Sequence, residues 1–253
     1  MLLRNLGFAT ALFLLRLIKM ISSYTDLIKK LKKSSNKERA KSSAWFFKTG
    51  KGQYGEGDIF LGITAPEQRK IAHQFQELSF IDIKRLLKSK IHEHRFVALE
   101  ILVMRYEKGS DQEKKEVVNF YIKNIDRVNN WDLVDTSASY ILGHFLYDKD
   151  KKILYKLARS KNIWKKRVAI VSTAYFISQG HYKDTINIAE ILLPEKHDLI
   201  HKATGWMLRE VGKKSIVTEL AFLDKYCNIM PRTMLRYAIE RFEQNKRAYY
   251  LNK

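Results

Sequence analysis

"KRVAI", residues 166–170, decides the fold because it has four counterparts along the chain: "RFVAL" (95–99), "WDLVD" (131–135), "IHKAT" (200–204) and "LRYAI" (235–239). With the fourth residue of each as reference point, Ala98, Val134, Ala169, Ala203 and Ala238 follow one another at intervals of 36, 35, 34 and 35 residues. Between these marks lie further helical runs, "KKEVVNFYIKNI" (114–125), "KKILYKLARS" (151–160), "KDTINIAEILL" (183–193) and "VTELAFLDKY" (217–226). A period near 35 with two helices per period is the pattern of stacked helical pairs, an α-solenoid, and small residues at the reference point let neighbouring helices approach closely. Such a stack predicts an all-α superhelix that folds as one cooperative body, with a concave groove along one side.

Composition agrees with that class. Hydrophobic residues make up 45% of the 253 and aromatics 12%, enough to bury a core. Only three prolines and eleven glycines punctuate a chain rich in Lys, Leu, Ile, Glu and Ala, which favours helix over sheet. Pro66, Pro194 and Pro231 sit near the starts of helical runs, where a missing N–H costs nothing. The single cysteine, Cys227, excludes an internal disulfide, and no Cys/His spacing suits zinc, so no metal and a reducing, cytoplasmic setting are expected.

The formal charge of +20 calls for a polyanion, and nucleic acid ranks above membrane because no cationic amphipathic segment stands apart from the fold. A lysine-rich soluble surface is the competing explanation. About half the excess is local: residues 1–52 hold twelve Lys and Arg against Asp26 and Glu38, including "KKLKKSSNKERAK" from Lys29 to Lys41. The first 19 residues, "MLLRNLGFATALFLLRLIK", are apolar, but Arg4 and Arg16 leave an unbroken run too short to span a bilayer. They read as a dispensable leader or a misplaced start with Met20 as the natural one, and residues 20–253 as a single repeat domain. "FFKTGKGQYGEGDIFLGITAPEQRK" (46–70) is the one long irregular stretch; its glycines match no nucleotide fingerprint, so it reads as a connector.

Within "NNWDLVD" (129–135), Asp135 stands one place after the reference point, where the other repeats carry Leu99, Ile170, Thr204 and Ile239. A desolvated carboxylate costs several kcal/mol unless paired or used, so it is a candidate for chemistry. A capping role is the competing reading and suits Asp132 better, with Asn130 as N-cap. Trp131 lies four residues before Asp135 and shares its helix face. Arg167 occupies a groove-edge position one repeat later, and Trp206 follows in the next. Trp45 and Trp164 read as core packing, and His92, His94 and His201 as surface or groove residues.

"FLGITAPEQR", "NNWDLVD", "NIWKKR" and "HKATGWMLRE", in that order, resemble the AlkD-type DNA alkylation-repair glycosylases, from about Phe46 to the C-terminus. The resemblance implies a superhelix of HEAT-like repeats and places Trp131, Asp135, Arg167 and Trp206 around the lesion. It departs where Asn130 replaces a second tryptophan, and where Asp198 and Leu199 replace aromatic residues. The implied activity is hydrolysis of the N-glycosidic bond of N3- or N7-alkylated purines in duplex DNA without base flipping; a monomer without cofactor or metal is expected, and no strand cleavage, since nothing resembles a Schiff-base lysine in a defined pocket. An alkylated purine is cationic and departs neutral, so one carboxylate suffices where glycoside hydrolysis otherwise uses two. Asp135 would stabilise the oxocarbenium-like sugar and position the attacking water, with Trp131 and Trp206 offering π faces. Arg167, Lys166 and Lys202 would hold flanking phosphates. Two other classes stay open: a non-catalytic HEAT-repeat binder of branched or damaged DNA, and a scaffold for acidic protein segments.

Overall fold

A computed structural model describes residues 24–253. The expectation about residues 1–19 lies outside the described residues. The chain is all-α: among the described residues there is no strand, only an isolated bridge between Ile59 and Ile91. It divides into two compact units, one ending at Lys108 and the other running from Gly109 to Lys253. No helix of the described residues is long and apolar enough to cross a membrane.

Among the described residues the N-terminal unit runs α1 (24–33), α2 (Lys37–Phe46), α3 (Ala65–Gln74), α4 (Phe80–Leu87) and α5 (His92–Lys108). Each start has a local cause. Asn36 accepts the Arg39 amide to cap α2, Pro66 sits in the first turn of α3, and Ser79 caps α4. α5 is the buried member, packed by α3 and α4, with Phe96, Val97, Ala98, Leu99, Ile101 and Leu102 inside. The Glu93 carboxylate, also buried, accepts the amides of Leu61 (2.9 Å) and Gly62 (2.8 Å), so the chain entering α3 is held by a side chain of α5. Gly62 has φ +78°, and a Cβ there would collide with the Asn36 carbonyl oxygen, so only glycine fits.

His92 and His94 correct the surface expectation, since both are buried. His92 stacks on Phe60 (ring centroids 4.6 Å) and its Nδ1 lies 3.2 Å from Asp58, which also takes Arg95 Nη2 at 2.6 Å. Burial raises the Asp58 pKa, but the His92 bond and the Arg95 charge outweigh it and hold the group below the usual carboxylate range. Burial, with help from Arg95 and Lys32, pulls His94 down to about 4. His92 makes sense only within this buried polar cluster, whose carboxylate, Asp58, lies 34 residues away in sequence.

The C-terminal unit runs α6 (Asp111–Lys123), a 3-10 turn (Ile125–Arg127), α7 (Trp131–Asp135), a π-helical turn (Ser139–Gly143), α8 (His144–Leu146), α9 (Lys152–Ala158), α10 (Ile163–Ser178), α11 (Lys183–Leu192), α12 (Asp198–Lys214), α13 (Ile216–Tyr226), α14 (Arg232–Ala238), a second 3-10 turn (Ile239–Arg241) and α15 (Gln244–Asn252). The reference-point helices are its spine: α7 and the π turn pack on α10, α10 on α12, and α12 on α14. α9, α11 and α13 cover them. The repeat alignment is therefore an alignment of spine helices, and Val134, Ala169, Ala203 and Ala238 are all buried at their contacts. Close approach is strictest at two glycines. A Cβ on Gly205 would strike the Met234 carbonyl oxygen, and one on Gly143 would strike that of Ser172. The core continues through Leu208, Phe222, Leu223, Met234 and Leu235, each worth about 1.5–3 kcal/mol on burial.

Candidate active site

α7 is five residues long, and its shortness places the site. Asn130, fully buried, caps it by accepting the Trp131 amide at 2.8 Å, and Asp132 accepts the Leu133 amide at 2.9 Å. These are the local duties expected of Asn130 and Asp132. Leu133 and Val134 point into the core, so Trp131 and Asp135 lie on the other face, each partly exposed. Helix α7 ends at Asp135, and after a short turn the chain widens into the π turn. Ser137 Oγ donates to the Leu133 carbonyl (2.6 Å) and accepts from the buried Tyr121 hydroxyl (3.0 Å). Ser172 of α10 reaches the Ala138 carbonyl at 3.3 Å. Sequence reading missed Tyr121 and Ser137, whose contact joins α6 to the turn after α7, sixteen positions apart.

Asp135 does not cap its helix. Its two oxygens accept from Arg167 Nε (2.9 Å) and Nη2 (2.7 Å), while Arg167 Nη1 donates to the Leu199 carbonyl at 2.7 Å. One guanidinium thus joins the α7, α10 and α12 repeats. The Arg167 side chain is 6% exposed and that of Asp135 21%, so the arginine is the inner member and the carboxylate faces outward. A carboxylate has about four lone-pair sites, and Arg167 occupies two, leaving room for a water or a substrate cation. Burial raises the Asp135 pKa above the usual aspartate value; the Arg167 bonds and charge oppose that rise without cancelling it.

The remaining expected residues are distributed around this pair. Trp206 is partly exposed, its indole N–H donating to Glu210 at 3.2 Å, and it lies seven residues beyond Leu199, about 10 Å along α12. Lys166 is bonded to Glu195, whose carboxylate also accepts the amides of Lys196 and His197. Lys202 pairs with Asp198 at 2.7 Å. His201 is half-buried and bonded to the Glu195 carbonyl. Arg167, Lys166 and Lys202 are thus each engaged by an acid of the same unit. The Lys202–Asp198 pair was readable from its i,i+4 spacing; the Lys166–Glu195 pair, 29 residues apart, was not. Trp164 is buried as expected, whereas Trp45 is 74% exposed and so is not core. Among the described residues no group of three or more His, Cys, Asp or Glu is placed to hold a metal ion.

The model of the DNA alkylation repair enzyme family matches residues 27–242, across both units and through this site. The chain belongs to that family. Its fold is similar to that of a solved structure described as a predicted DNA alkylation repair enzyme from Enterococcus faecalis, at a TM-score of 0.64 and 17% identity, over 83% of this chain and 98% of the other. No curated protein matches it.

Proposed function

We propose that the chain is a monofunctional DNA glycosylase that releases cationic N3- or N7-alkylated purines from duplex DNA, working as a monomer in the cytoplasm, without cofactor or metal and without flipping the base. The observation that carries this reading is the outward-facing Asp135 carboxylate fixed at both oxygens by the buried Arg167. In the reaction the C1′–N bond breaks with its electrons going to the base, which leaves neutral. Water oxygen bonds to C1′, and the water proton passes to Asp135 and on to solvent. Asp135 stabilises the positive charge on the sugar as the bond stretches, the part of catalysis in which a preorganised ion gains most.

Arg167 sits too deep, and is too fully engaged, to serve chiefly as a phosphate clamp; its work in this proposal is to fix the carboxylate and keep it ionised. Trp131, on the Asp135 face of α7, presents its ring to the sugar or base, a cation–π contact worth about 0.5–2 kcal/mol, and Trp206 does the same from α12. Lys166 and Lys202 hold phosphates only by exchanging their acid partners for them.

Release of 7-methylguanine or 3-methyladenine from methylated duplex DNA by wild type and Asp135→Asn, run side by side, tests the assignment. Loss of release with DNA affinity retained is the expected result. Unchanged release would make the Asp135–Arg167 pair a structural lock, leaving a non-catalytic binder of damaged or branched DNA.

A further inference from the structure

The N-terminal unit holds a second surface suited to nucleic acid, one that owes nothing to Asp135. Lys29, Lys30, Lys32 and Lys33 on α1, Lys37 and Lys41 on α2, and Lys48 and Lys51 in the following loop are all exposed. Among the described residues none of the eight has a carboxylate within ion-pair distance. Residues 1–23 contain no Asp or Glu. At the end of α2, beside these cations, Trp45 is 74% and Phe46 55% exposed. Lys48 Nζ sits 4.9 Å from the Trp45 ring centroid.

The loop after α2 is built rather than loose. Lys48 has φ +54°, a left-handed backbone that a side-chain-bearing residue adopts at a cost. The turn is closed by Gly55 N–H to the Lys48 carbonyl (3.1 Å), Gly50 N–H to Gln53 Oε1 (2.9 Å) and Gly52 N–H to Glu56 Oε2 (2.8 Å). A Cβ on Gly55 would strike the Phe47 carbonyl oxygen, so the reversal requires glycine there. The reversal presents Lys48 and Lys51 on the same short segment as the exposed end of α2. Of the acids nearby, Glu56 is used inside the turn and Asp58 is bonded to His92 and Arg95, leaving Glu38 and Asp26 against eight lysines.

We propose that α2 and residues 47–58 bind single-stranded DNA, the lysines tracking phosphates and the Trp45 indole stacking on an unpaired base. Charge complementarity selects a polyanion, and an exposed indole among unpaired lysines selects one with free aromatic faces, which a single strand offers and a closed duplex hides. A repair enzyme meets such strands wherever a lesion opens its helix.

The test uses the full chain and unmodified fluorescent oligonucleotides, one single strand and one hairpin duplex, with affinity followed by anisotropy across a salt series. Trp45→Ala is expected to weaken single-strand binding about 5- to 100-fold, with the duplex changed less than about twofold and the salt slope unaltered. Replacing Lys37, Lys41, Lys48 and Lys51 together by Gln is expected to make the single-strand log–log salt slope shallower by about 3. Lys149→Gln with Lys152→Gln, which removes cations already paired with Asp148 and Asp150, is the control and should change neither quantity. Equal losses on both DNAs from Trp45→Ala overturn the stacking role, and an unchanged salt slope in the four-lysine variant overturns the surface. Because no lesion is present, neither outcome depends on whether Asp135 is catalytic.

Discussion

The two units hold similar surpluses of positive charge and arrange them in opposite ways. Residues 1–108 carry 21 Lys and Arg against 10 Asp and Glu, and residues 109–253 carry 26 against 17. In the C-terminal unit the cations at the candidate site are neutralised in place: Arg167 by Asp135, Lys166 by Glu195, Lys202 by Asp198, and Lys165 by Asp126. In the N-terminal unit eight exposed lysines have no such partner. Net charge therefore does not locate a polyanion site. Paired cations shape a rigid pocket and contribute little to long-range attraction, whereas unpaired ones release counterions when phosphates arrive.

Asp135→Asn is expected to lower base release by about 10²- to 10⁴-fold with affinity for unmodified duplex nearly unchanged, measured under single-turnover conditions. Arg167→Ala should produce a similar loss and move the acid limb of the pH profile upward, because burial then acts on Asp135 unopposed; Arg167→Lys should restore part of both. In wild type that acid limb should already lie above the usual aspartate range. A limb at or below it would mean that Asp135 does not govern the rate.

Buried glutamates sharpen the contrast between units through stability. Glu93 is satisfied by the amides of Leu61 and Gly62, whereas buried Glu219 lies over Gly212 with Oε1 lacking a hydrogen-bond partner. Burial pushes Glu219 up to about 8, partly offset by Lys246 and Arg209. A raised carboxylate pKa contributes stability that is complete below the usual glutamate value and lost as pH climbs through about 8. Glu219→Gln should therefore stabilise the protein by about 3 kcal/mol at pH 9 and make little difference at pH 4, read by urea unfolding at both. Glu93→Gln should instead cost about 1–3 kcal/mol near neutrality, because it weakens the acceptor of the Leu61 and Gly62 amides.

Smaller effects follow. Gly205→Ala must push α14 off α12, at about 2 kcal/mol in the same unfolding assay. Smallest of all, Lys166→Gln and Lys202→Gln should each alter the duplex salt slope by less than about 0.5, against nearly 1 for a lysine that meets a phosphate without first leaving an acid. A full unit at Lys202 would show that the Asp198 pair opens on binding.

The class of fold was legible because periodicity is a property of one strand of text. Alanine or valine recurring near every 35 residues can be counted, and the structure places those of the C-terminal unit at helix crossings. The catalytic candidate was legible for the same reason, as Asp135 breaks the apolar register. Electrostatic pairing was not. Nothing in "NIWKKR" indicates that Arg167 turns inward while Lys166 is met by an acid 29 residues on. Trp45 was misread because an indole ordinarily signals burial, and its exposure depends on how the glycine-rich turn ends α2.

Arg167 spans three successive helical pairs, which has a thermal consequence. Slippage of α12 against α10 withdraws the Leu199 carbonyl and leaves the guanidinium held by Asp135 alone, with both helices intact. Warming should therefore extinguish catalysis some degrees below the loss of ellipticity, and the protein would go silent while still folded.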